Sequence, residues 1–115
     1  LEYIKKMKND KLNGGNSLFV TLSKDGVLCA NRDEKIYHVR LKDEYKDMVN
    51  YSAASRPGST NGAGDVFTGE VAVINTKRRN ADPTKVAMRA SKASIRHIGY
   101  DGPISYSSFS VSAYK

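Results

Sequence analysis

The residues most able to do chemistry stand together in Ser59-Thr60-Asn61-Gly62-Ala63-Gly64-Asp65-Val66-Phe67-Thr68-Gly69. Gly62, Ala63 and Gly64 have little or no side chain and precede the expected start of a helix. Backbone N–H groups there can meet an approaching anion unobstructed, and the helix dipole adds to the attraction. This is how a phosphate or oxyanion hole is built. Asp65 stands at its mouth. A carboxylate opposes an anion that is merely held, but it suits a reaction in which a hydroxyl loses its proton while attacking a phosphoryl group bound by the same amides. The same residues also read as an ordinary glycine turn, with Asp65 as a helix-end charge worth a few tenths to ~1 kcal/mol.

Several elements must hold that segment in place. Phe67, Val71 and Ile74 fall at i, i+4 and i+7, which predicts a helix from about Asp65 to Asn75 or Thr76. Gly69 lies inside it at a cost of ~1 kcal/mol relative to alanine, so a close packing contact is expected there. Asp82-Pro83 supplies an N-cap and a first-turn proline; Val86, Ala90, Ala93 and His97 then share one face until Gly99 stops the helix. Upstream, Ser17 to Leu22 and Val27 to Ala30 are β-prone runs joined by Lys24-Asp25-Gly26, a strand-turn-strand pattern. After a turn at Asn31 to Glu34, Ile36 to Leu41 alternates like a third strand with one wet face. Leu1, Ile4, Met7 and Leu12 have helical spacing, and Asn13-Gly14-Gly15-Asn16 provides a reversal. Lys42 to Ser59 shows no period and reads as a loop ending in the breaker Arg56-Pro57-Gly58-Ser59. Pro103 to Lys115 alternates weakly, as an edge strand would.

With 115 residues, 39% apolar and 27% charged, the chain has room for one domain with one modest core. No apolar run approaches the ~18 residues of a membrane span, and the first residues do not read as a secretory signal. Cys29 is the single cysteine and cannot form an internal disulfide, which fits a reducing, cytoplasmic setting; it reads as a small buried hydrophobe rather than a nucleophile. His38 and His97 lie apart from any cluster at metal-ligand spacing and read as structural or surface residues. Of the net charge of +7, the Val71 to Tyr100 segment holds seven basic residues against Asp82 alone. Such a face can be a solvated helix surface, or can attract nucleic acid, an acidic partner or nucleotide phosphates.

Thr60-x-Gly62-Ala63-Gly64-Asp65-x-Phe67-x-Gly69 resembles the C-terminal signature of the ribokinase-like, or PfkB, carbohydrate kinases. Val20-Thr21-Leu22-Ser23-Lys24-Asp25-Gly26-Val27 is similar to the strand and turn which in that family lie against the nucleotide, and the Pro83 to Ile98 helix looks like the alanine-rich helix bordering its adenine pocket. The resemblance implies a catalytic base at Asp65, an anion hole of Gly62, Ala63 and Gly64, and ATP contacts from Thr21, Ser23, Gly26, Ala90 and Ser91. Adenine is then expected beside the small residues Val86, Ala87, Ala90 and Ser91, with its phosphates directed toward Gly62 to Gly64. Ser23 stands where many members have glycine, and Ser59 replaces an aspartate associated with a monovalent cation. No N-x-x-E stands before the Ser17 to Leu22 strand, where the resemblance places the magnesium-associated motif.

The resemblance further implies an α/β fold in which residues 1–115 form the C-terminal portion of a three-layer α/β/α kinase domain, the substrate-selecting half and lid being absent. The expected function is ATP-dependent phosphoryl transfer, with Mg2+, to a hydroxyl of a small sugar or nucleoside. The isolated chain is expected to be inactive. Its sheet is expected to be completed by the rest of the kinase or by a partner chain. The alternative is a non-catalytic basic module binding nucleotide or RNA, although no aromatic stacking signature accompanies the basic face.

Overall fold

The computed structural model describes residues 17–30, 35–54, 61–77 and 81–114. The expected helix between Leu1 and Leu12, its Asn13 to Asn16 reversal, the Asn31 to Glu34 turn and the Arg56 to Ser59 breaker lie outside the described residues. What is described is an α/β domain with a four-stranded antiparallel sheet and three α-helices.

Strands β1 (Leu18–Thr21), β2 (Val27–Ala30) and β3 (Ile36–Leu41) form a meander, and β4 (Phe109–Ala113) returns from the far end of the chain to pair with β3. Thr21 stands opposite Val27, Val27 opposite Val39, and Leu41 opposite Phe109. β2 is buried along its whole length, which is why Val27-Leu28-Cys29-Ala30 reads as a continuous apolar run rather than an alternation. Val27, Cys29 and Val39 face the main core, whereas Leu28, Ala30 and Ile36 form a smaller cluster with Val20 and Leu22. The β3 face expected to be wet is therefore wet only toward Arg40, because Ile36 at its other end is buried.

The helices are α1 (Asp43–Ala54), α2 (Ala63–Lys77) and α3 (Pro83–His97). α1 corrects the expected loop over Lys42 to Ser59. Its only buried residue is Val49, flanked by half-buried Tyr45, Lys46, Ser52 and Ala53, so its apolar stripe is too narrow to impose a period. Asp43 and Glu44 suit the positive end of the helix dipole, the Lys42 carbonyl accepts from the Tyr45 and Lys46 N–H groups, and Lys46 pairs with Asp25 at 3.6 Å. α2 begins two residues earlier than expected, with Phe67 and Ile74 buried and Phe67 edge-on to Phe19 at 6.3 Å. Gly69 makes no close contact: a Cβ there would meet nothing within 4 Å, and nothing described explains its place in the helix.

α3 follows its sequence signals at both ends. Asp82 Oδ1 accepts from the Thr84 N–H at 2.9 Å and the Thr84 hydroxyl at 2.8 Å, and Pro83 fills the first turn. At the other end Gly99 adopts φ +97°, with Gly99 N–H donating to Arg96 O and Tyr100 N–H to Ile95 O. This paired pattern closes the helix with a left-handed residue that glycine adopts without strain. The buried face is broader than the expected Val86, Ala90, Ala93 and His97 line. It includes Ala87, Met88 and Ile95, while His97 is exposed, because this helix packs against both the sheet and α2. Among the described residues no helix is long and apolar enough to cross a membrane.

Candidate functional site

A cleft of about 550 Å³ opens where the β1–β2 connection, the end of β3, α1, the start of α2 and α3 converge. Each element brings something different. The connection is a 3-10 turn over Ser23–Asp25 followed by Gly26, fastened by Leu22 N–H to Gly26 O at 2.7 Å and by contact of His38 Nε2 with Asp25 O at 2.6 Å. It contributes Thr21, Ser23, Lys24 and Gly26 to the lining. Ser23 has φ +57°, in the left-handed region, the physical reason glycine suits that position. Gly26, at φ +97°, lies so close to β3 that a Cβ would collide with the Val39 carbonyl oxygen and come within 3.0 Å of the Arg40 Cα.

The start of α2 contributes Ala63 and Gly64. Gly62 precedes them at φ +83°, and its carbonyl accepts the Val66 N–H at 3.0 Å, the first bond of the helix. The leading N–H groups of α2 therefore lack intrahelical partners, as at any helix N-terminus. The turn is gripped from behind by α3: Ser94 Oγ donates to Ala63 O at 2.8 Å, and His97 Nε2 lies 2.8 Å from Asn61 O. Both anchors engage carbonyls rather than amides. With Nε2 protonated, His97 donates in that contact.

Of the residues implicated by sequence, Thr21, Ser23, Gly26, Ala63, Gly64 and Ser91 line this one cleft. Gly62 and Asp65 are exposed at its α2 side without lining it. Ala90 is placed differently. It is fully buried in the main core with Ala87, and Val86 is buried too, so Ser91 is the member of that small-residue group that reaches the cleft.

Three lining cations escaped the sequence reading: Lys24, Arg40 and Lys46. Lys46 lay in the stretch read as loop, and the other two were ordinary strand and turn charges until the fold aimed them at one space. Among the described residues no Asp or Glu lines the cleft; the nearby Asp25 is engaged with Lys46 at 3.6 Å. Its floor is apolar, with Val39, Val49, Phe67, Ile95 and Phe109. Basic walls over an apolar floor suit an anion with a flat, weakly polar body. Among the described residues no three His, Cys, Asp or Glu side chains gather as a metal-binding group.

Cys29 is buried away from this chemistry, 1% exposed, and burial pushes its thiol up from 9.0 to about 12, with the Asp82 carboxylate a smaller contributor. A thiol so disfavoured as thiolate is a poor nucleophile. Compared with family models, curated proteins and solved structures, the chain matches none.

Proposed function

We propose that this chain carries the nucleotide-binding and catalytic part of a ribokinase-like phosphotransferase, moving the terminal phosphoryl group of ATP to a hydroxyl of a small sugar or nucleoside. The observation that carries the reading is the cleft itself: Thr21, Ser23, Gly26, Ala63, Gly64 and Ser91, separated in sequence, converge there with three cations. Its volume of about 550 Å³ lies within the range typical of small-molecule sites, roughly 300–1,000 Å³. The three-layer architecture of such kinases belongs to the same proposal.

In this mechanism the leading amides of α2 and the Lys24, Arg40 and Lys46 side chains hold the phosphates and offset the charge that develops on the transferred group. Val39, Phe67 and Ile95 shield one side of the cleft from water. Asp65, in the first turn of α2, accepts the proton of the attacking hydroxyl. Mg2+ supplies further charge neutralisation on the phosphates when bound. Among the described residues no three His, Cys, Asp or Glu side chains gather to hold it. The acceptor sugar or nucleoside is selected by the remainder of the kinase or by a partner chain, and the setting is cytoplasmic.

The test is turnover by the complete kinase against a panel of sugars and nucleosides, comparing wild type with Asp65→Asn. Loss of a positioned general base lowers the rate by roughly 10²–10⁴-fold with ATP affinity largely kept. Wild-type turnover by the variant would reduce Asp65 to a helix-end charge. The 115-residue chain alone binds ATP without efficient turnover. Binding that instead follows generic polyanion charge, with affinity collapsing between low and moderate salt, would favour the RNA-binding alternative.

A further inference from the structure

A second cavity, of about 490 Å³, lies between α2, α3 and the turn preceding β4. Its long wall is the Arg89, Lys92, Ala93, Arg96 stripe of α3, at i, i+3, i+4 and i+7. Like charges at these spacings repel, and α3 contains no acidic residue to relieve them. Among the described residues the one carboxylate lining the cavity is Glu70 of α2, and no ion pair joins it to these cations. The fold thus concentrates three positive charges around a concave space with no ion pair to any of them among the described residues.

The rest of the cavity is assembled by hydrogen bonds. Arg96 is held by two 2.8 Å bonds from Nη1 to Tyr100 O and Gly102 O and lies over the Tyr100 ring at 5.9 Å, so its guanidinium is already ordered. The opposite wall is the 3-10 turn Tyr106–Ser108, closed by a reciprocal Ser105–Ser108 capping box. That turn presents Tyr106, 50% exposed, beside a floor of buried Met88 and Phe109. Concavity and apolar floor argue against a purely solvated basic face, and against the long shallow track that a nucleic acid strand needs.

We propose that this groove is a second ligand site, separate from the phosphoryl-transfer cleft, which takes a small phosphomonoester with a flat apolar or aromatic body. The phosphate sits among Arg89, Lys92 and Arg96, and the body lies on Met88 and Phe109 beside Tyr106. The inference does not depend on the kinase reading: Met88, Arg89, Lys92, Arg96 and Tyr106 line this groove and not the transfer cleft, and of the described residues the two share Phe109 at their floors.

The probe is phenyl phosphate, titrated into the isotope-labelled chain and followed by amide chemical shifts. Inorganic phosphate and phenol serve as charge-only and body-only controls. Phenyl phosphate shifts residues 89–96 and 105–109, binding at least about tenfold tighter than either control, since both charge-assisted bonds and apolar burial contribute. Arg89→Gln with Lys92→Gln, at exposed positions, weakens it by about tenfold or more, and Tyr106→Ala removes most of the advantage over inorganic phosphate. The proposal is overturned if the shifts centre on Thr21, Gly26 and Gly64 or if inorganic phosphate binds as tightly. Undiminished binding by the double variant overturns it as well. So does a result in which only single-stranded RNA binds this face, with steep salt dependence.

Discussion

Gly64→Ala separates what the fold needs from what the site needs. Gly64 lies in the first turn of α2, is exposed, and would place an added Cβ where nothing stands within 4 Å. Its backbone is helical and needs none of glycine's special freedom. By helix propensity alone the alanine variant is the more stable by about 0.5–1 kcal/mol, which for a domain of this size raises the thermal midpoint by roughly 2–6 °C. The same methyl stands at the mouth of the cleft, where it bars close approach of a phosphate to the leading amides. Losing one charge-assisted hydrogen bond costs roughly 1.5–3 kcal/mol, or about 10- to 150-fold in ATP affinity. A thermal melt and a calorimetric ATP titration on the same sample give both numbers. A lower melting point would mean that the space beside Gly64 is occupied, and unchanged affinity would mean that the phosphates do not meet this turn.

Gly26→Ala acts in the opposite way: with φ +97° and a collision with the Val39 carbonyl, it destabilises the chain by about 2–5 kcal/mol in urea unfolding, and a loss below about 1 kcal/mol would contradict the close β2–β3 approach. Ser94→Ala removes the bond that holds the Ala63 carbonyl, so ATP affinity falls about three- to tenfold while the melting point drops only a few degrees; calorimetry and a melt read the two separately. Because burial raises the Cys29 thiol to about 12, the folded chain retains a proton that the unfolded chain releases from about pH 9.0 upward. Its contribution to stability is intact below pH 9 and is lost as pH rises toward 12, and Cys29→Ala flattens that part of a pH-dependent unfolding series.

Elements whose ends carry their own chemistry were legible in the sequence. Asp82-Pro83 and Gly99 bound α3 because a cap, a proline and a left-handed glycine each act locally. The β1–β2 hairpin was likewise readable from two apolar runs around Lys24-Asp25-Gly26. α1 was hidden because burial of Val49 alone leaves no apolar rhythm; its helix rests on charge placement and on contacts made by Lys42 and Lys46. The glycine turn of the candidate site could be found by residue type, as could Thr21 and Gly26. The cations could not, since Lys24, Arg40 and Lys46 share a cleft only through tertiary folding. Ala90 illustrates the reverse difficulty: a small residue on a helix suits both a ligand face and a close-packed core, and here packing claims it.

The pairing of β4 with β3 sets the order in which the molecule can be completed. β3 follows β2 at once, yet its other edge stays open until all three helices and Phe109–Ala113 have been synthesised. During translation, Ile36–Leu41 therefore carries an edge of N–H and C=O groups whose β4 partner is not yet made, a template for pairing with another nascent chain. Docking of β4 pairs that edge, with Tyr37 to Leu41 opposite Ala113 to Phe109, and passes the edge of the sheet to the shorter β4. β4 thus covers β3 only once the helices that build the cleft are already in the chain.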